Sequence, residues 1–284
     1  MNTATARRGG YALMFASSAS NQFGAALGAM AFPAVGPVGV VAVRQIVAAV
    51  VLVPTIRPRL RGLRADQWRP VLGLAAVFSV MNLCLYAAIE RIGLGLAVTL
   101  EFLGPLSVAV LTSRRGADVA CAGFAGIGVV VLTDPGPTTD LLGVALGLLA
   151  ALSWGGYILL NRTLGDRLPG LHGTAAASLV TVSVWAPIAF WWFMFHRPSA
   201  VAAGLAVACG LLSSIVPYVA DLLALRQIAA PVFATFTSIN PIWAALAGWL
   251  MLGQLLDVRE WLGIGLIVIS NVVVSATQLS QRRA

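Results

Sequence analysis

The stretch Ala97-Val98-Thr99-Leu100-Glu101-Phe102-Leu103-Gly104-Pro105-Leu106 decides the reading of this chain. It lies inside an apolar run from Gly93 to Leu111, so Glu101 sits about 12 Å from one end and about 15 Å from the other at a helical rise of ~1.5 Å per residue. A carboxylate at that depth of a bilayer costs about 2.5–3.5 kcal/mol on insertion scales, and is therefore turned inward to a partner or a wet cavity, often one that carries protons or solute. Pro105 brings no amide hydrogen, and the carbonyl it leaves without a helical donor belongs to the residue four positions back, Glu101 itself. Acid and broken backbone coincide, the combination from which sites in discontinuous membrane helices are built. The plainer alternative is a structural ion pair joining two helices.

The surrounding composition agrees with a membrane. The 284 residues are 59% hydrophobic and 10% charged, with a mean hydropathy of +0.91, and long apolar runs recur from Tyr11 onward. All 18 basic residues are arginine, against 10 acids. They fall in short gaps between apolar runs, which points to anionic headgroups as the counter-charge and not to nucleic acid. Cys84, Cys121 and Cys209 stand singly in apolar runs, a spacing that suits neither a disulfide framework nor a zinc site. Arg7 and Arg8 precede a long apolar run without a cleavage-like end, which reads as a first spanning helix and not a removed signal peptide.

Apolar windows broken by Pro, Gly and charge predict an all-α membrane protein of ten transmembrane helices, at 11–32, 38–55, 70–89, 94–113, 118–134, 141–160, 173–195, 201–223, 231–252 and 261–279. With the N-terminus in the cytoplasm, the inside segments hold most of the arginines and the outside segments only Arg91, Arg197 and Arg259, so both termini are expected to be cytoplasmic. Setting Pro105 on Pro241 also matches Ala88 with Ala224, Ile92 with Ile228, Thr99 with Thr235 and Ala109 with Ala245; one more residue of offset brings Gly126-Ile127-Gly128 onto Gly263-Ile264-Gly265. The expected domains are two five-helix repeats, 11–134 and 141–279, and five spans per repeat make the second inverted relative to the first. Inverted repeats of this kind hold solute near the midplane between the halves.

Polar residues inside the spans supply the candidate site. Asn21 shares a face of the first span with Ser17, Gly24 and Gly28, where Gly24 and Gly28 form a close-approach pair. Arg44 lies near the outer end of the second span; it either snorkels outward or turns its fork inward to a solute carboxylate or to Glu101. Asn82 and Tyr86 share a face of the third span with Ser79, and Tyr218 and Asp221 share one of the eighth with Ser214. Asp221, near the cytoplasmic end, is a second candidate beside Glu101 for carrying a proton. Trp154 and Tyr157 line one face of the sixth span, and Asn240-Pro241 is the second helix break, with Thr237 in the place of Glu101. No metal site and no cofactor are expected. The chain has no lysine and hence no phosphate-binding GxxxxGK[ST] loop, which argues against ATP-driven work, and His172 and His196 stand at span ends, away from any catalytic constellation.

These residues resemble a family, the EamA-type drug/metabolite transporter superfamily, over nearly the whole chain. Phe32-Pro33-Ala34-Val35-Gly36, Arg44, Leu100-Glu101-Phe102-Leu103-Gly104-Pro105-Leu106, Pro217-Tyr218 and Ala224-Leu225 are similar to its threonine/homoserine exporter branch. The resemblance implies an inner-membrane exporter of small amino acids or related metabolites, driven by the proton gradient. One departure is visible: members often carry glutamate where this chain has Gln254 after Leu252-Gly253, and an amide does not titrate. The expected partners are a small-molecule substrate, the lipid bilayer and protons, with no nucleic acid; the sequence does not fix an oligomeric state. A drug exporter of the same fold and a non-transporting membrane scaffold are the alternatives.

Overall fold

The computed structural model describes residues 3–58, 63–112, 116–133, 140–165, 172–225, 227 and 237–281. The described residues form helices and no strand. In chain order these are α1 (Thr3–Met30), α2 (Phe32–Ile56), α3 (Ala65–Ile92), α4 (Leu94–Glu101), α5 (Leu103–Thr112), α6 (Gly116–Thr133), α7 (Leu141–Gly165), α8 (His172–Phe195), α9 (Ala200–Gly210), a π-helical turn (Leu211–Ile215), α10 (Val216–Leu225), α11 (Asn240–Leu252) and α12 (Val258–Gln281). Among the described residues, five stretches are long and apolar enough to cross a membrane by length and composition: Phe32–Ile56, Ala65–Ile92, Leu141–Asn161, His172–Phe195 and Ala200–Asp221. Leu94–Val108, Gly123–Thr133 and Asn240–Leu252 are shorter apolar helices.

The run expected as one fourth span is two helices with the break at Phe102, directly after Glu101 and within the turn that Pro105 deprives of a donor. The second break repeats this: Ser238 and Ile239 form a turn and α11 begins at Asn240, with Pro241 in its first turn, where a missing amide hydrogen costs nothing. The part of the predicted ninth span at 231–236 lies outside the described residues. The predicted first span starts too late, since α1 is already helical at Thr3, before the apolar run begins at Tyr11. The apolar window marks hydrophobicity, and helix formation extends past it.

Lipid tails are as apolar as leucine, so helices in a bilayer associate through close packing of small residues. The largest core cluster accordingly mixes alanines (Ala25, Ala26, Ala42, Ala97, Ala244, Ala247) with a few large side chains such as Tyr86, Leu94 and Trp185. α3 packs along α7, α2 along α8, α4 along α11 and α6 along α12. α1 lies against α9, the π turn, α10 and α11, while α7 also meets α4 and α5.

Close approach at glycine sets two of these crossings. A Cβ at Gly28 would stand 2.8 Å from Cys209 Sγ and 3.0 Å from the Tyr86 ring, and one at Gly24 would collide with Leu212 and Ser213. Between α6 and α12, a Cβ at Gly128 would sit 2.9 Å from Ile267 and one at Gly263 would sit 2.6 Å from Leu132. Gly128 and Gly263 face each other at this crossing, whereas a Cβ at Gly126 or Gly265 would meet nothing within 4 Å. Identity matching in a glycine-rich run cannot tell which glycine of a GxG pair faces the neighbour. The Gly143 and Gly147 pair also makes its contacts within the chain, against Arg91, Ile92 and Leu100.

Candidate functional site

The middle of the eighth span is where the helix is most altered. In the π turn the amide of Val216 bonds the carbonyl of Leu211, five residues back, and so skips that of Leu212. Pro217 has no amide hydrogen for the carbonyl of Ser213. Both abandoned carbonyls find side chains from other helices: the Ser20 hydroxyl donates to Leu212 O at 2.8 Å, and Nη2 of Arg44 donates to Ser213 O at 2.8 Å. The Ser213 hydroxyl in turn donates to the main-chain oxygen of Asn21 at 2.8 Å.

Arg44 is therefore turned into the bundle and does not snorkel outward. Its Nε donates to Ser214 Oγ at 3.0 Å and its Nη1 to the Tyr86 hydroxyl at 3.2 Å, with the guanidinium carbon 5.3 Å from the Tyr86 ring centre. Tyr86 is fully buried, and its hydroxyl lies 3.0 Å from Cys209 Sγ. Three of the five guanidinium N–H groups thus have fixed acceptors, which orients the fork and leaves two donors over.

Glu101 is 8% exposed at the inner end of α4. Its charge and that of Arg44 lie close enough to act on each other, yet the two side chains make no ion pair within 4.0 Å, and the Glu101 carboxylate accepts no hydrogen bond from the described residues. A direct Arg44–Glu101 bridge, one of the alternatives for the fork, is not formed: three of the guanidinium donors go to the eighth and third spans. Asn240 is also 8% exposed, and its Oδ1 is buried without a hydrogen-bond partner.

The remaining candidates divide. Trp154 packs edge-on against Phe102, ring centres 4.5 Å apart, beside the Glu101 break. Tyr157 packs on Phe78 at 5.5 Å. The amide of Asn82 is turned back to its own helix, donating to Phe78 O at 2.8 Å. Asp221 accepts from Ser17 Oγ at 2.5 Å, joining α10 to α1 away from the Arg44 cluster. The side chain of Asn21 is half-buried and contributes through its main-chain oxygen. Tyr218 is in α10, and its side chain lies outside the described residues. The sequence reading passed over Ser213 and Ser20; the available signal was Pro217, four residues after Ser213.

Gln254, the departure noted in the sequence, has a structural task. Its Oε1 accepts the amide of Leu94 at 2.9 Å, satisfying one of the free donors at the start of α4, while its main-chain N–H donates to Gly248 O at 3.1 Å. On the same side of the fold Arg91 pairs with Asp140 at 2.9 Å, and Asp140 also accepts from the amide of Gly143 at 2.8 Å.

An all-helical bundle of apolar helices, with a buried acid at one helix break and an intramembrane arginine bonded to another, has the build of a multi-pass membrane transporter. The profile of the EamA-like transporter family matches residues 141–276. The threonine/homoserine exporter RhtA of Escherichia coli (strain K12) is 33% identical over 273 residues, 92% of this chain and 89% of that protein. RhtA of Salmonella typhimurium (strain LT2) is 32% identical over the same shares, and the uncharacterized transporter YwfM of Bacillus subtilis (strain 168) is 23% identical over 240 residues, 79% of each chain. A solved crystal structure superposes with a TM-score of 0.62 at 18% identity, over 96% of this chain and 98% of the other, which speaks to the fold. The chain belongs to the EamA-like transporter family, within the drug/metabolite transporter superfamily, and is similar to its RhtA branch. It is a multi-pass inner-membrane transporter and not an enzyme.

Proposed function

We propose that this protein exports small amino acids of the threonine and homoserine kind from the cytoplasm by alternating access, coupled to protons through Glu101. The observation that carries this reading is the separation of part-buried Arg44 and buried Glu101, opposite charges that make no ion pair with one another among the described residues. A zwitterion completes both: its carboxylate takes the two free Arg44 donors and its ammonium meets Glu101. A polyanion would find one intramembrane arginine only, and a neutral lipophile would leave both charges unanswered. The names of the relatives point to the same cargo.

The alternation is read from two inverted five-helix halves, 11–134 and 141–279, with both termini cytoplasmic, the side to which most arginines fall. Helix packing supports the repeat. Exchanging each helix of the first half for its counterpart in the second turns the α2–α8 and α6–α12 contacts into themselves, and turns α3–α7 into the contacts of α1 with α9 and α10. The two proline breaks exchange as well. In such a scaffold the halves rock about a midplane site. Asn82, Tyr86, Trp154, Tyr157 and Asn21 belong to its surroundings, with Asp221 as a second proton carrier near the cytoplasmic end.

Efflux of labelled threonine and homoserine from preloaded cells tests the reading. Expression of the chain is expected to speed efflux of both, and of neither after Arg44→Ala. Unchanged amino-acid efflux alongside raised resistance to lipophilic drugs would move the cargo assignment to drugs; movement of neither class would favour the scaffold.

A further inference from the structure

We infer that Glu101 and Asn240 together form a subsite for the substrate's α-ammonium, a deepening that rests on the amino-acid export reading. Each stands where a helix is broken by proline, one at the end of α4 and the other at the start of α11. Both are 8% exposed. The Glu101 carboxylate has no hydrogen-bond donor from the described residues, and Asn240 Oδ1 is buried with none. A buried acceptor without a donor costs about 1–3 kcal/mol, so the undonated Asn240 Oδ1 is poorly explained by packing alone.

The two residues stand at one depth. α4 and α11 pack antiparallel: a Cβ at Gly95 would stand 3.3 Å from the Ala245 backbone, and one at Gly248 would stand 3.6 Å from Leu94 Cβ. From Leu94 to Glu101 the chain advances about 10.5 Å, and from Gly248 back to Asn240 about 12 Å, at ~1.5 Å per residue. The two acceptors therefore come level to within about one residue of rise. Seven positions bring Glu101 back to the face on which Leu94 meets α11.

The missing ligand group must donate. Arg44, the cation nearest in effect, has turned its donors to Ser213, Ser214 and Tyr86. A bare metal cation takes more oxygens than this pair supplies, about six to eight for calcium. A primary ammonium carries three N–H donors, which suit one carboxylate and one amide oxygen with a further donor over. The subsite makes the α-amino group the feature selected for, and a hydroxyl in its place is a poor substitute because it brings one donor and no charge.

The test uses the full chain in nanodiscs, with binding of labelled threonine competed by its analogue bearing a hydroxyl in place of the α-amino group. Wild type is expected to prefer threonine tenfold or more. Asn240→Leu is expected to narrow that preference at least fivefold while the analogue's own affinity holds, and Asn240→Asp, which keeps the acceptor and adds charge, to preserve or widen it. Equal weakening of both ligands in Asn240→Leu, or a narrowed preference in Asn240→Asp, would overturn the subsite and leave the export reading standing. Absence of threonine and homoserine binding to wild type would overturn both.

Discussion

Nη2 of Arg44 lies 2.8 Å from the main-chain oxygen of Ser213, the carbonyl that Pro217 leaves without a helical donor. The break in the eighth span thereby becomes the mount for the intramembrane cation. Two substitutions separate the parts of this mount. Pro217→Ala returns an amide hydrogen that competes for Ser213 O, and Ser214→Ala removes the acceptor of Nε. A hydrogen bond to a charged group is worth about 1.5–3 kcal/mol, and about 1.4 kcal/mol is tenfold in affinity. Both variants are expected to raise the KM for threonine in proteoliposomes, Ser214→Ala by about tenfold, with normal protein yield. An unchanged KM in both would show that Arg44 needs no such mount.

At Gly28 the expectation concerns stability. An alanine there would press its Cβ to 2.8 Å from Cys209 Sγ and 3.0 Å from Val40 Cγ1. Overpacking of this kind costs about 1–3 kcal/mol. Gly28→Ala should lower the melting temperature in detergent, and adding Cys209→Ala should restore much of it by clearing the nearest atom. Gly123→Ala, where nothing lies within 4 Å, should be neutral or slightly stabilising. A Gly28→Ala protein as stable as wild type would contradict the close crossing of α1 with α9.

Gln254 should behave as a helix cap. Gln254→Leu removes the acceptor for the Leu94 amide and is expected to destabilise by about 1 kcal/mol. Gln254→Glu keeps an acceptor and places a negative charge at a helix start, which is favourable by about 0.3–1 kcal/mol. Thermal stabilities ordered Glu, then Gln, then Leu at neutral pH are the expected result; a Leu variant equal to wild type would deny the cap.

The pH dependence of stability has one well-placed source outside the spans. The Gly143 amide and then the Arg91 guanidinium hold the Asp140 carboxyl below its ordinary value of 3.8. A carboxyl depressed in the folded state contributes stability that is complete above its unfolded value and is lost as pH falls through the folded one. The contribution is thus present at neutral pH and disappears only below about pH 4. Melting curves from pH 7 to pH 3 should show the Asp140→Asn protein less stable than wild type at pH 7, with the difference shrinking at the acid end. A constant difference across that range would assign the effect to something other than this charge.

Much of the architecture was legible because proline and carboxylate each leave a specific chemical deficit. Pro105 announced the break at Phe102 and Asn240-Pro241 the start of α11, since a missing amide hydrogen is a local and certain property. Gly24 and Gly28 announced a tight crossing because a small residue repeated at four positions permits little else. What sequence could not resolve were choices among equivalent partners. Arg44 could snorkel outward or turn inward to a solute or Glu101, and the carbonyl freed by Pro217 took it. Gly126 and Gly128 are interchangeable in an alignment, and only the packed helices distinguish them. Asn82 turns its amide nitrogen to the Phe78 carbonyl of its own helix, which is a rotamer's choice and not a pattern's.

Glu101 stands at the centre of the export reading, and transport of labelled threonine by purified protein in liposomes under an imposed pH gradient addresses it most directly. Wild type is expected to move threonine faster with the gradient than without it. Glu101→Gln, close in shape but unable to ionise, is expected to insert and purify normally and to lose both the transport and its response to the gradient. A Glu101→Gln protein that moves threonine at the wild-type rate with the wild-type response would remove Glu101 from the mechanism.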